Sequence, residues 1–126
     1  MREMIATGEK TTIENYRGAL EFQVSLIRKM DDFFTNYDVL LCLSTAGAAP
    51  YRGIIENPDP ALMWTLTHLP AINAPVFSSP ENKPFGLQIV ARKYNDHLLL
   101  SFLDFLRERC LVPQHPNPMW VDPNSG

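Results

Sequence analysis

The side chains of this 126-residue chain that could carry acid–base, nucleophilic or metal chemistry are three histidines, two cysteines and scattered serines and carboxylates. His68, His97 and His115 stand 29 and 18 positions apart, and none has a Cys or an acidic residue at a spacing that metal ligation uses. No metal site and no cofactor are expected. Asp96 beside His97 has the composition of a dyad, but at a helix start the Asp serves as a cap, and adjacent helical residues do not face one another. Ser78-Ser79 ahead of Pro80 reads as turn chemistry, in which hydroxyls bond the local backbone. The chain has no G-x-S-x-G elbow, no G-x-G-x-x-G loop and no P-loop. Cys42, inside an apolar run, and Cys110, at a helix end 68 positions later, fit neither a CxxC site nor a disulfide framework. Both are expected to be buried thiols.

Two further residues carry a polar group in apolar company. Trp64 follows a long loop, and its indole N–H needs a partner if buried, so it is either core or the lining of a ligand pocket. Gln88 is the one polar residue in the run Phe85 to Ala91, so it is either at a sheet edge or a buried amide with assigned hydrogen bonds.

The elements that must position these residues follow from hydrophobic periodicity. Thr11 to Glu14 has capping-box spacing, and Ile13, Tyr16, Leu20, Val24, Ile27, Met30 and Phe34 then mark one buried stripe on a helix over about residues 12 to 35. Asp38 to Leu43 reads as a strand covered on both faces, as in a parallel or mixed sheet with helices on each side. Ser44 to Asp59 is a long loop carrying Gly47, Pro50, Gly53 and Pro58, and loops of that length tend to be functional. A short helix capped by Asn57 or Asp59 covers Ala61 to Thr67, and Ile72 to Phe77 is a strand whose Pro75 argues for an edge position or for early termination. Ser78 to Lys83 is a turn, Phe85 to Ala91 a third strand, and Asn95 or Asp96 caps a last helix through Leu106. The fold class is α/β, a mixed sheet layered with helices. Residues 1–112 form the domain and 113–126 a proline-rich tail.

Composition sets the outer limits. A net charge of −3 and a pI near 5.5 leave no basic footprint for nucleic acid. The longest apolar run, Val39 to Leu43, is far short of the ~20 residues of a membrane span. Residues 1–10 lack a signal-peptide core, so a cytoplasmic protein is expected.

Four stretches in fixed order resemble the carboxy-terminal part of the amidase signature family, serine hydrolases of carboxylic amide C–N bonds. They are Tyr16 to Leu41, the loop Thr45-Ala-Gly-Ala-Ala-Pro50, Asp59 to Pro75 with its Trp64-Thr65 pair, and Lys83-Pro-Phe-Gly-Leu-Gln-Ile-Val90. Together they cover residues 10 to 108 and look more like general bacterial amidases than the tRNA-dependent amidotransferase subunit. The resemblance implies an incomplete, carboxy-terminal part of an α/β/α sandwich. It also implies that Gly47, Trp64, Thr65 and His68 contribute one wall of the acyl or leaving-group pocket.

Two departures stand out. The family usually has Pro-Thr where this chain has Leu43-Ser44, and a Gly where it has His68, so His68 is expected at positive φ or in a close approach. The family's serine nucleophile, second serine and lysine base lie in a Gly/Ser-rich signature that matches nothing in these residues. The expectation is a carboxy-terminal fragment of an amidase-type hydrolase, with no catalytic residues of its own and inactive alone, completed by an amino-terminal amidase half or self-associated. The alternative is a non-catalytic α/β interaction module that dimerises or docks on a partner, because three apolar strands need cover on both faces and only two long helices are available.

Overall fold

The computed structural model describes residue 5 and residues 8–47, 49–54, 61–80 and 83–112. Its elements run α1 (Ile13–Phe33), β1 (Val39–Leu43), α2 (Ala61–Thr67), β2 (Ala71–Ser78), β3 (Pro84–Ala91) and α3 (Asp96–Glu108). The three strands form one sheet in the order β1-β3-β2. The helix-layered α/β architecture is as expected. Within these three strands, however, both pairings are antiparallel, Leu41 opposite Ile89 on one side and Ile72 opposite the same residue on the other.

Alternation along each strand divides the core between two faces. Ile89, Ala91 and Ala74 pack with Leu99 and Leu106 of α3 and with Val112, and Val39, Ile72 and Leu87 lie against them. On the opposite face Val90 packs with Phe34, Trp64 and Leu69, and Met30, Leu40 and Cys42 complete that cluster. Ile89 and Val90 are wholly buried neighbours pointing opposite ways. Each contributes on the order of 1.5–3 kcal/mol by leaving water.

The helix ends show why certain expectations shift. The N-cap of α1 is Thr12, whose Oγ1 accepts the Asn15 N–H at 3.2 Å, so the cap sits one residue later than the Thr11–Glu14 box. The apolar stripe is buried only towards its carboxy-terminal end: Phe34 is buried and Met30 half-buried, but Ile13 and Tyr16 are 66% and 55% exposed. Periodicity identifies the apolar side of a helix; it does not guarantee a partner in the same chain. Asn95 caps α3 without a side-chain bond, and Asp96 lies in the first turn. The expected caps Asn57 and Asp59, together with His115 and the 113–126 tail, lie outside the described residues. Neither thiol is fully buried: Cys42 is half-buried, while Cys110 is exposed because it occupies the left-handed residue (φ 55°) that ends α3. There Leu111 N–H bonds Leu106 O and Cys110 N–H bonds Arg107 O, a Schellman stop.

β1 leaves the sheet at Ser44. Its N–H donates to Gly86 O at 2.9 Å, but the return bond from Gly86 N–H goes to Ser44 Oγ, also at 2.9 Å. The hydroxyl takes the acceptor place that a strand carbonyl normally fills, which lets the backbone turn into the long loop. A Cβ on Gly86 would lie 3.0 Å from both Ala74 O and Ser44 Oγ. Gly86→Ala is therefore expected to destabilise the domain by about 1–3 kcal/mol, read as a lower urea midpoint at unchanged slope.

Candidate functional site

A buried hydrogen bond ties α2 to the central strand. Trp64 Nε1 donates to Gln88 Oε1 at 2.7 Å, with both residues about 5% exposed, and Cys42 Sγ of β1 approaches the same oxygen at 3.7 Å. Gln88 is thus a buried amide in the middle of the sheet, not an edge residue. Its carbonyl satisfies the one polar atom that Trp64 carries into the core.

The cap of α2 presents His68. Leu69 N–H bonds Trp64 O at 3.0 Å and His68 N–H bonds Thr65 O at 3.3 Å, the paired bonds of a Schellman motif. The left-handed position between them is His68 itself, at φ 57°. The positive φ expected where the family has Gly is therefore present. The motif's customary apolar contact is also made, since Trp64 and Leu69 are buried in one cluster. Gln23 of α1 reaches this cap from 43 residues away in sequence. Its Nε2 donates to Leu66 O at 2.7 Å and lies 3.3 Å from His68 Nε2. An otherwise open carbonyl in the last turn of α2 is satisfied by another helix.

The long loop is held from the β2–β3 turn. Lys83 Nζ donates to Ala49 O at 3.3 Å and stands 4.4 Å from the Tyr51 ring centroid. The turn itself closes through Ser79 N–H to Lys83 O and Lys83 N–H to Ser79 Oγ, as its composition suggested. Gly47 lies exposed in this loop, and its carbonyl accepts the Thr45 hydroxyl at 2.6 Å.

Trp64, Thr65 and His68 therefore share one helix and its cap, with Trp64 turned inward and Thr65 and His68 exposed. The Thr65 hydroxyl bonds Ala61 O at 3.2 Å. Among the described residues, no hydrogen bond joins Gly47 to these three. Sequence reasoning missed Gln23 and Lys83. Gln23 is a polar residue between Leu20 and Ile27 on the apolar side of α1, a signal that could have marked it. Lys83 has no such local signal.

A hydroxyl and an imidazole meet on α3, where Ser101 Oγ lies 3.4 Å from His97 Nδ1. The pair is exposed one turn apart, and the next acid, Asp104, engages Arg107 at 3.6 Å instead of orienting the imidazole. Among the described residues, no three His, Cys, Asp or Glu side chains gather as a metal would require.

A helix layer on each face of a three-stranded sheet, with a long loop and a capped short helix beside it, defines a piece of an α/β/α sandwich. Residues 1–100 match the amidase family model, and the chain belongs to that family. It is 27% identical over 111 residues to a putative amidase, AmiD, of Mycobacterium tuberculosis, a match covering 79% of this chain and 23% of the relative. It is 33% identical over 95 residues to a glutamyl-tRNA(Gln) amidotransferase subunit of Brevibacillus brevis, covering 68% and 19%. A solved amidase structure superposes with a TM-score of 0.74 at 22% identity, over 86% of this chain and 28% of that one. The chain thus spans about a quarter of the length of the relatives it matches, and general amidases and amidotransferase subunits both stand among them.

Two outcomes test the site's construction. Gln88→Leu should cost about 1–3 kcal/mol by stranding the indole N–H, and adding Trp64→Phe should recover part of it, with a coupling of about 1 kcal/mol in a double-mutant cycle. His68→Gly should stabilise by roughly 0.5–1 kcal/mol, and His68→Val should destabilise by at least about 1 kcal/mol, since only glycine enters the left-handed region without a Cβ clash. Denaturant titrations check both.

Proposed function

We propose that this chain is the carboxy-terminal portion of an amidase-type C–N hydrolase and does not hydrolyse amides unaided. The observation that carries this reading is the family match along residues 1–100, joined to a span of only 23% of the mycobacterial amidase. In the reaction the family implies, a serine oxygen adds to the carboxamide carbon, the C–N bond breaks as ammonia or an amine leaves, and water releases the acid from the acyl-serine. That sequence needs a nucleophile held beside a base. The Gly/Ser-rich segment that supplies two serines and a lysine has no counterpart in these residues.

In this reading residues 1–112 contribute strands, covering helices and one wall of the pocket, in a cytoplasmic enzyme completed by an amino-terminal amidase half. Gly47, Thr65 and His68 face the substrate side, and Trp64, anchored by Gln88, fixes the helix that carries the last two. No helix among the described residues is long and apolar enough to cross a membrane. The exposed apolar side chains Ile13, Tyr16 and Leu20 on α1 favour a second reading, a non-catalytic module that docks through them.

Ammonia release from acetamide and benzamide decides between them. The purified chain should show none above the blank. Co-expression with the amino-terminal portion of the mycobacterial amidase should restore release, and His68→Ala in that complex should lower kcat/KM by about tenfold. Turnover by the 126-residue chain alone, lost on Ser101→Ala, would sink the proposal. A tight complex with no turnover would favour the docking module.

A further inference from the structure

The β2–β3 turn is held at its root. Ser79 N–H donates to Lys83 O at 2.9 Å, and Lys83 N–H returns a bond to Ser79 Oγ at 3.1 Å. Just below the turn the rings of Phe77 and Phe85 stack across the two strands, centroids 5.3 Å apart. The long loop after β1 has bonds of a different kind. Thr45 Oγ1 donates to Gly47 O at 2.6 Å, and Ile54 N–H closes a turn onto Tyr51 O at 3.1 Å, with Gly53 at φ 91° in the left-handed position that such a turn requires. Both bonds are local: they shape residues 45–47 and 51–54 but fix neither piece to the sheet. The half-buried Lys83 makes that connection. Its backbone is pinned in the turn while its ammonium reaches across 34 residues to Ala49 O at 3.3 Å and stands 4.4 Å from the centre of the Tyr51 ring. Ala49 lies between Gly47 and Tyr51, so one cation grips the stretch that joins the two local turns. Both contacts draw on its charge, since a carbonyl accepts more strongly from an ammonium than from a neutral donor, and the quadrupole of a ring face attracts a cation.

We infer that Lys83 is a positioning residue of the amide-hydrolysis site: through Ala49 and Tyr51 it fastens the loop that carries Gly47 to the β2–β3 turn, and so sets where Gly47 stands against the substrate. The inference rests on the reading under Proposed function, which puts Gly47 on the substrate side, and adds the residue that holds it there. Lys83 touches no reacting atom in this role. A loop bonded only to itself samples many placements, and ordering it on each encounter draws on the free energy of substrate binding. A cation rooted in the hairpin removes that cost before substrate arrives. The loop is equally ordered in the Michaelis complex and in the transition state, so loss of the anchor raises KM and leaves kcat nearly unchanged. Arg can stand in for Lys83, because a guanidinium also donates to a carbonyl and stacks on an aromatic face, whereas Met keeps the length of the stem and loses the charge.

Hydrogen exchange and kinetics test it together. In the free chain the Ile54 amide, bonded to Tyr51 O, should exchange about fivefold faster in Lys83→Met and at the native rate in Lys83→Arg, with the Ile89 amide of the central strand unchanged in both. In the chain co-purified with the amino-terminal portion of the mycobacterial amidase, Lys83→Met should raise KM for benzamide by about fivefold with kcat held within about twofold, and Lys83→Arg should bring KM back. Tyr51→Leu added to Lys83→Met should cause little further rise, as expected of residues that share one contact. A merely structural role would lower the yield of folded complex and leave the KM of the remainder as it was. Should Lys83→Met fail to fold, Tyr51→Leu alone, which leaves the turn intact, should show a smaller rise in KM of the same kind. Unchanged Ile54 exchange, or faster Ile54 exchange with KM unmoved, overturns the role of Lys83, while ammonia release by the native complex leaves the reading under Proposed function standing. No release by the native complex overturns that reading and this inference with it.

Discussion

Strand β3 is paired along both edges and covered on both faces, and the positions of its neighbours follow from that one fact. A slip of one residue would send Ile89 and Ala91 to the Trp64 side and bring Gln88 and Val90 under α3. Three unrelated contacts forbid the slip. Gly86 lies so near Ala74 O and Ser44 Oγ that a Cβ there would fit only if those neighbours gave way, Gln88 holds the indole of Trp64, and Ile89 fills the space beneath α3. A polar bond, a close approach and an apolar contact thus specify the same register.

Helix α1 lives in two environments. Its carboxy-terminal end closes one face of the sheet through Met30 and Phe34, and Gln23 ties its middle to the cap of α2. Its first turns carry equally apolar side chains that touch little within the described residues. The apolar stripe of this helix thus outlasts the core beneath it within the described residues, and the chain itself spans 23% of the mycobacterial relative it matches.

Much of this was legible in the sequence because the strands are short apolar runs bounded by strong turn signals. Pro75 left an edge position and early termination open for β2, and the strand lies at the edge and runs on through Ser78, while the run Phe85 to Ala91 is a buried strand that begins one residue earlier, at Pro84. Strand direction was not legible, since an apolar run reports two covered faces and helices on either side supply those equally in antiparallel pairing. Gln88 stayed ambiguous until the order β1-β3-β2 put it in the middle. Trp64, Thr65 and His68 were singled out by the family resemblance of the segment that carries them, and the structure puts them in one short helix and its cap. Gln23 and Lys83 act across 43 and 34 residues, and no local pattern encodes a contact of that span. The cap of α1 moved by one position because Thr11 and Thr12 offer the same hydroxyl.

The order of the strands also bears on how the chain folds. Ser78 and Pro84 meet across a short turn, whereas Leu43 must find Leu87 across 44 residues. Loop closure makes the second encounter entropically dearer by about 2 kcal/mol. The β2–β3 hairpin and the α3 that packs on it are therefore the natural nucleus, and β1, bringing α1 with it, is the last piece to dock and the first to detach.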